Sequence, residues 1–195
     1  MRGLVAEACR LLYLFVPLLG GALLVALCTR YNWLPFLAWP LDRRACLFDH
    51  RVFGDNKTFR GVIAGTAGTG LSMVVQGRLL HALPRARDLE FVDYSSLPLW
   101  RIGLMLGLVR MLSELPNSFV KRQFDIRPGQ SGDGPWASVW TAIDYVDYLP
   151  GAWLVLARWV NITPRRVLIS AAVVLLAHHV ANAVAYDLGL RRSAH

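Results

Sequence analysis

Charge is what this sequence has least of. Asp, Glu, Lys and Arg make up 17% of its 195 residues, against 55% hydrophobic residues. A soluble domain carries about a quarter of its residues as charges, so that class is excluded. Cysteine is nearly absent as well. Cys9, Cys28 and Cys46 are odd in number and dispersed, with no CxxC pair, which argues against a disulfide framework or a zinc site. Acidic residues are outnumbered, 13 against 21 Lys and Arg, for a formal charge of +8 at pH 7. A nucleic-acid binder would gather its bases on one soluble face. Here they lie between apolar runs, as in loops facing anionic headgroups, and no nucleic-acid partner is expected. The glycines after Gly61 follow no strand pattern, which excludes a nucleotide-binding glycine loop.

What remains is apolar sequence. Five stretches, about 11–28, 61–80, 97–119, 137–160 and 165–185, each approach the roughly 20 residues needed to cross a hydrocarbon core. The expectation is an all-α polytopic membrane protein, residues 1–195 forming a single integral membrane domain of five transmembrane helices. Arg2 and Arg10 precede the first stretch, but no small-x-small cleavage site follows, so it reads as a retained anchor. Gly61 and Gly65 stand at GxxxG spacing and predict close helix packing. Lys and Arg are in modest excess in loops 29–60 and 120–136 and at the C-terminus. By the positive-inside rule those segments face the cytoplasm and the N-terminus lies outside. The expected location is the cell (inner) membrane, multi-pass, with the site facing the cytoplasm.

Three polar clusters interrupt this pattern on that side. The first, Asn56, Lys57, Thr58 and Arg60 just before Gly61, mixes cations with neutral hydrogen-bonding groups and suits phosphate oxygens. The second is Glu114, Pro116, Asn117, Ser118, Lys121 and Arg122. Pro116 should kink or end the helix there, opening polar groups at the membrane boundary. The third, Asp144 and Asp147, lies where a membrane helix normally has no charge. Three residues apart, the two share a helix face, and they are costly unless paired or metal-bound. A divalent metal holding a phosphate-bearing substrate is one reading; ion pairs with Arg110 or Arg101 are the other. His178 and Asn182, at i and i+4 in the last stretch, join this site or form an interhelical pair.

Taken together, DNKTFRG, NSFVKR, DYVD and the closing HHVANAVAYDLGLRR resemble CDP-archaeol synthases and their bacterial relatives, the short, five-span branch of the phosphatidate cytidylyltransferase group. The resemblance implies transfer of CMP from CTP to a membrane lipid bearing a phosphate, with Mg²⁺ and release of pyrophosphate. It implies catalytic roles for Lys121, Arg122, Asp144 and Asp147, the two aspartates holding the metal. It implies substrate contacts by Asn56, Lys57, Thr58, Arg60, Ser118, His178 and Asn182, with Glu114 at an acidic position of the family; Asn117 joins them as part of the second cluster. The larger relatives have Lys-Asp where this chain has Arg127-Pro128, so a second ion would need Asp125 or Asp133. The alternative is a small transporter or lipid-binding scaffold whose intramembrane charges form structural pairs. Against it, no acidic or histidine relay crosses the bilayer.

Overall fold

A computed structural model describes residues 2–130, 132 and 135–187. Helix α1 (Arg2–Phe15) runs into α2 (Pro17–Arg30) through Val16. Pro17 opens α2 in its first turn, where a missing N–H leaves no helical bond unmade. The run Gly3–Arg30 is, among the described residues, the one helical segment long and apolar enough to cross a membrane by length and composition. Helices α3 (Phe59–Ala82), α4 (Leu99–Gln123) and α7 (Pro164–Asp187) reach 24 or 25 residues, about 36 Å at 1.5 Å per residue. They have the length of a span, but glycine, threonine and charged residues lower their apolarity. The fourth expected span is broken. It consists of α5 (Ala137–Val146) and α6 (Leu149–Leu156), which meet at Asp147 and Tyr148, with Pro150 in the first turn of α6.

Pro116 does not end α4. The helix continues to Gln123, giving up only the bond that a Pro116 N–H would have made. The all-α expectation also misses a small hairpin, β1 (Cys46–Leu47) paired antiparallel with β2 (His50–Arg51). Strands of two residues carry no readable alternation, and the turn residues Phe48 and Asp49 adopt left-handed φ of 51° and 64° without the glycine that usually signals such a turn.

α3 is the central helix, packed along α2 on one side and α4 on the other. Of the expected pair Gly61 and Gly65, only Gly65 joins its close approach to α2, where a Cβ on Gly21 would fall 2.6 Å from the Gly65 carbonyl, and Gly68 makes the rest. A Cβ on Gly68 would lie 2.8 Å from the Gly20 carbonyl and 2.9 Å from Leu24, so only glycine fits. Gly61 faces merely its own helix cap, and Gly65 abuts Met111 of α4.

The buried core joins Leu11, Leu14, Phe15 and Leu18 to Met73, Ile102, Leu106, Trp153, Leu156 and Val174. Phe15 meets Trp153 edge-on at 6.2 Å and Tyr148 at 6.4 Å, a favourable aromatic geometry. The Trp153 indole N–H donates to Ser170 Oγ at 3.0 Å, which satisfies both inside the apolar bundle. Facing outward, α2, α3, α6 and α7 expose Leu19, Leu71, Leu154 and Leu168.

Candidate active site

Because α4 is unbroken, Arg110, Glu114, Asn117 and Lys121 recur at helical spacing along one stripe. Its C-terminal part, Glu114, Asn117 and Lys121, together with Ser118 and Arg122, forms one wall of a cavity of about 320 Å³. Asn56 and Lys57, at the approach to α3, close one side. Asp144, Tyr145 and Asp147 from α5 and the α5–α6 junction and His178 from α7 close the other, and Gly129 and Gln130 also line the space. Three clusters far apart in the chain thus share one space.

The carboxylate pair sits against α4. Asn117 Nδ2 donates to Asp144 Oδ1 at 2.6 Å and to Asp147 Oδ2 at 3.2 Å. Lys121 Nζ reaches both oxygens of Asp144, at 2.7 and 2.6 Å, and lies 3.4 Å from the Gln130 carbonyl. Asp144 therefore has Lys121 as its cation. Neither arginine considered from sequence serves: Arg110 donates to the Leu18 carbonyl at 2.7 Å, and Arg101 lies over the Trp100 ring. Asp147 has one oxygen, Oδ1, that is buried without a hydrogen-bond partner.

Arg122 is the least expected feature. Its side chain is buried, 7% exposed, yet Nε and Nη1 have no hydrogen-bond partner among the described residues. A buried guanidinium without a counterion is costly, and an incoming anion offsets that cost. Loop backbone covers it closely: Gly54, at φ 96°, leaves no room for a Cβ, which would fall 2.9 Å from Pro128 and 3.4 Å from Arg122 Nη1.

The loop holding Gly54 is tied to Asp42, which sequence reasoning missed. Asp42 accepts from the backbone N–H of Arg44, Phe53 and Gly54 at 2.9, 3.0 and 3.1 Å, and from Arg51 Nη2 at 2.9 Å. Burial alone would raise its pKa. The hydrogen bonds from Arg51 and the three amides outweigh burial and hold it at about 2. Nothing in a lone Asp beside Arg43 and Arg44 marks it as a loop staple.

Lys57 Nζ pairs with Glu114 Oε2 at 2.5 Å, linking the α3 approach to α4. This pair also borders a second groove of about 210 Å³, whose walls are apolar at Ala22, Val25, Val62, Met111 and Leu115. His178 stacks on Tyr145, ring centroids 4.2 Å apart and 3° from parallel. Ser118 lines the cavity beside Arg122.

The remaining expected residues lie elsewhere. Thr58 caps α3, its Oγ1 accepting from Gly61 N at 3.1 Å. Arg60 turns away from the cavity to Asn32 Oδ1 at 3.0 Å and the Trp33 carbonyl at 3.4 Å. Asp125 pairs with His50 at 2.9 Å instead of joining the carboxylates. The side chain of Asn182, and Asp133, lie outside the described residues. Among the described residues no three of His, Cys, Asp and Glu gather as a metal cluster. Gln130 and Tyr145 line the cavity without having been singled out, since neither type advertises such a role.

Comparison with known proteins identifies the family. A family model described as CarS-like CDP-archaeol synthase matches residues 38–195. A CDP-archaeol synthase of Thermofilum pendens is 34% identical over 155 residues, covering 78% of this chain and 64% of the relative. The chain thus spans slightly less than two thirds of that protein's length. The CDP-archaeol synthase of Aeropyrum pernix is 33% identical over 155 residues, 78% of this chain and 76% of the relative. A solved structure, described as an intramembrane enzyme for archaeal membrane lipid biosynthesis, is similar with a TM-score of 0.60 at 26% identity. It covers 87% of this chain and 90% of that one. This mostly helical membrane protein belongs to the CDP-archaeol synthase family, a family of CTP:lipid-phosphate cytidylyltransferases.

Proposed function

We propose that the cavity binds CTP and a phosphate-bearing membrane lipid and transfers CMP between them. The observation that carries this reading is the buried Arg122, with no hydrogen-bonded counterion among the described residues, in the same cavity as Asp144 and Asp147. It is a preformed anion site beside a pair of hard oxygen ligands. Mg²⁺ fits such a set, since it is commonly held by one or two carboxylates with water and substrate phosphates completing its shell. The buried, unpartnered Oδ1 of Asp147 is a free ligand position of the right chemistry. Asp144 and Asp147 would hold the ion, which supplies positive charge against the triphosphate.

The residues of the chain then position two anions and lower their mutual repulsion. Arg122 binds triphosphate oxygens and follows the charge that builds on the leaving pyrophosphate. Lys121 keeps Asp144 in place and lies close enough to share the same phosphates. Lys57, at the edge of the apolar groove, faces the lipid phosphate, and Glu114 holds the lysine there. A lipid phosphate oxygen forms a new bond to the α-phosphorus of CTP while the bond to the bridging α–β oxygen breaks. Pyrophosphate departs in line, and no covalent enzyme intermediate is needed.

The groove beyond Lys57 and Glu114 offers the lipid's hydrocarbon an apolar bed. Five membrane crossings are supported by the lengths of α3, α4 and α7, by the α1–α2 and α5–α6 pairs, and by outward-facing leucines. The basic loops before α3 and after α4 support a cytoplasmic mouth, from which CTP enters.

The test is incubation of purified protein with labelled CTP, Mg²⁺ and, in turn, archaeal ether-lipid and diacyl lipid phosphates. Formation of a labelled CDP-lipid with stoichiometric pyrophosphate is expected from at least one. No product from either refutes the proposal.

A further inference from the structure

We infer that Asn117 is the third protein ligand of the metal, rather than a contact to substrate. The inference rests on the metal reading above and extends it to a neutral residue of α4. Its carboxamide touches both aspartates, donating from Nδ2 at 2.6 Å to Asp144 and 3.2 Å to Asp147. The other end of the same group, Oδ1, is buried and has no hydrogen-bond partner. An amide nitrogen held by two carboxylates marks the vertex at which a third oxygen ligand would sit beside an ion. Half a turn about χ2, a soft and roughly two-fold torsion, exchanges Nδ2 for Oδ1.

That exchange puts three oxygens where one amide nitrogen and two carboxylates now meet. Adjacent ligands of an octahedral Mg²⁺ shell, at 2.0–2.1 Å from the ion, are about 3 Å apart. The two observed separations bracket that edge. The rotation gives the acceptor oxygen, now buried without a hydrogen-bond partner among the described residues, an ion to bind. It supplies a third ligand where, among the described residues, no third acidic or histidine side chain gathers with the two carboxylates. Asn117 in its present orientation neutralises the pair through hydrogen bonds, and in the other it completes the site.

The experiment measures Mn²⁺ binding to the full chain in detergent by the loss of the free-ion EPR signal, without CTP or lipid. Asn117→Ala is paired with Asn117→Leu, which keeps the side-chain volume, and Asp144→Asn serves as the reference. Weakening of at least tenfold in both Asn117 variants, with folding intact by thermal melting, is expected. If Asn117 only braces the carboxylates as a donor, its removal frees them, and Mn²⁺ binds as tightly or more tightly. That outcome overturns the assignment. If Asp144→Asn binds Mn²⁺ like the wild type, the aspartate metal site itself fails, and Asn117 falls with it. Loss in Asp144→Asn with retention in both Asn117 variants removes Asn117 alone.

Discussion

Lys121 and Asp144 form a closed pair across the cavity, the ammonium 2.6 and 2.7 Å from the two carboxylate oxygens. The lysine side chain is 6% exposed, whereas the aspartate side chain is 37% exposed. The cation is thus fixed by the protein, and the carboxylate keeps access to ligands. Removing Lys121 leaves a carboxylate that water can solvate, so the structural cost is small.

Lys121→Ala is accordingly expected to melt within a few degrees of the wild type in detergent while kcat falls at least a hundredfold. A hundredfold corresponds to about 2.7 kcal/mol of lost transition-state stabilisation. Because Lys121 and Asp144 act as one unit, Lys121→Ala combined with Asp144→Asn should cost little more than the worse single change. Multiplying effects would show that the two residues work independently.

Arg122 is expected to trade stability against activity. It is a buried charge with no hydrogen-bonded counterion among the described residues, so replacing it with Met leaves the melting temperature unchanged or higher. CMP transfer should nonetheless fall by two orders of magnitude or more. Arg122→Lys keeps the charge but loses the planar fork, and should raise the KM for CTP more than it lowers kcat. A strongly destabilised Arg122→Met protein would mean that the guanidinium has a structural partner.

The two cations of the first cluster should separate. Arg60 is engaged with Asn32 and the Trp33 carbonyl away from the cavity, whereas Lys57 lines it. Steady-state assays of Arg60→Ala should give kcat/KM within about threefold of wild type. Lys57→Ala should lose tenfold or more, chiefly in the KM for the lipid phosphate. Equal losses would place Arg60 at the substrate after all.

Asp42 sets a pH limit on the loop that covers Arg122. Its pKa is lowered from 3.8 to about 2 in the folded protein, so its stabilisation is fully present above pH 3.8. It is lost as pH falls through about 2, an effect of roughly 2 kcal/mol. Asp42→Asn removes that acid dependence and weakens the loop at neutral pH. The check is hydrogen exchange at Phe53 and Gly54, whose amides donate to Asp42. Unchanged protection in the variant contradicts the staple role.

The sequence by itself determined the membrane class and the polar clusters, because apolar run length and the cost of charge within it are local, additive quantities. A low charge content and isolated intramembrane Asp, Lys and Arg are legible one residue at a time, and Lys57, Lys121, Arg122, Asp144 and Asp147 all line the cavity. Only the tertiary structure decided which charges meet. Helical phase can tell that Arg110 and Lys121 share a stripe, but not that α5–α6 lies near the lower end of it. Hence Asp144 pairs with Lys121 instead of an arginine, and Arg60 turns out of the site though it is three residues from Lys57. The Gly68–Gly20 crossing and the Lys57–Glu114 pair follow from contacts between segments distant in sequence. Such contacts depend on the relative placement of whole helices, which no local pattern of residues encodes.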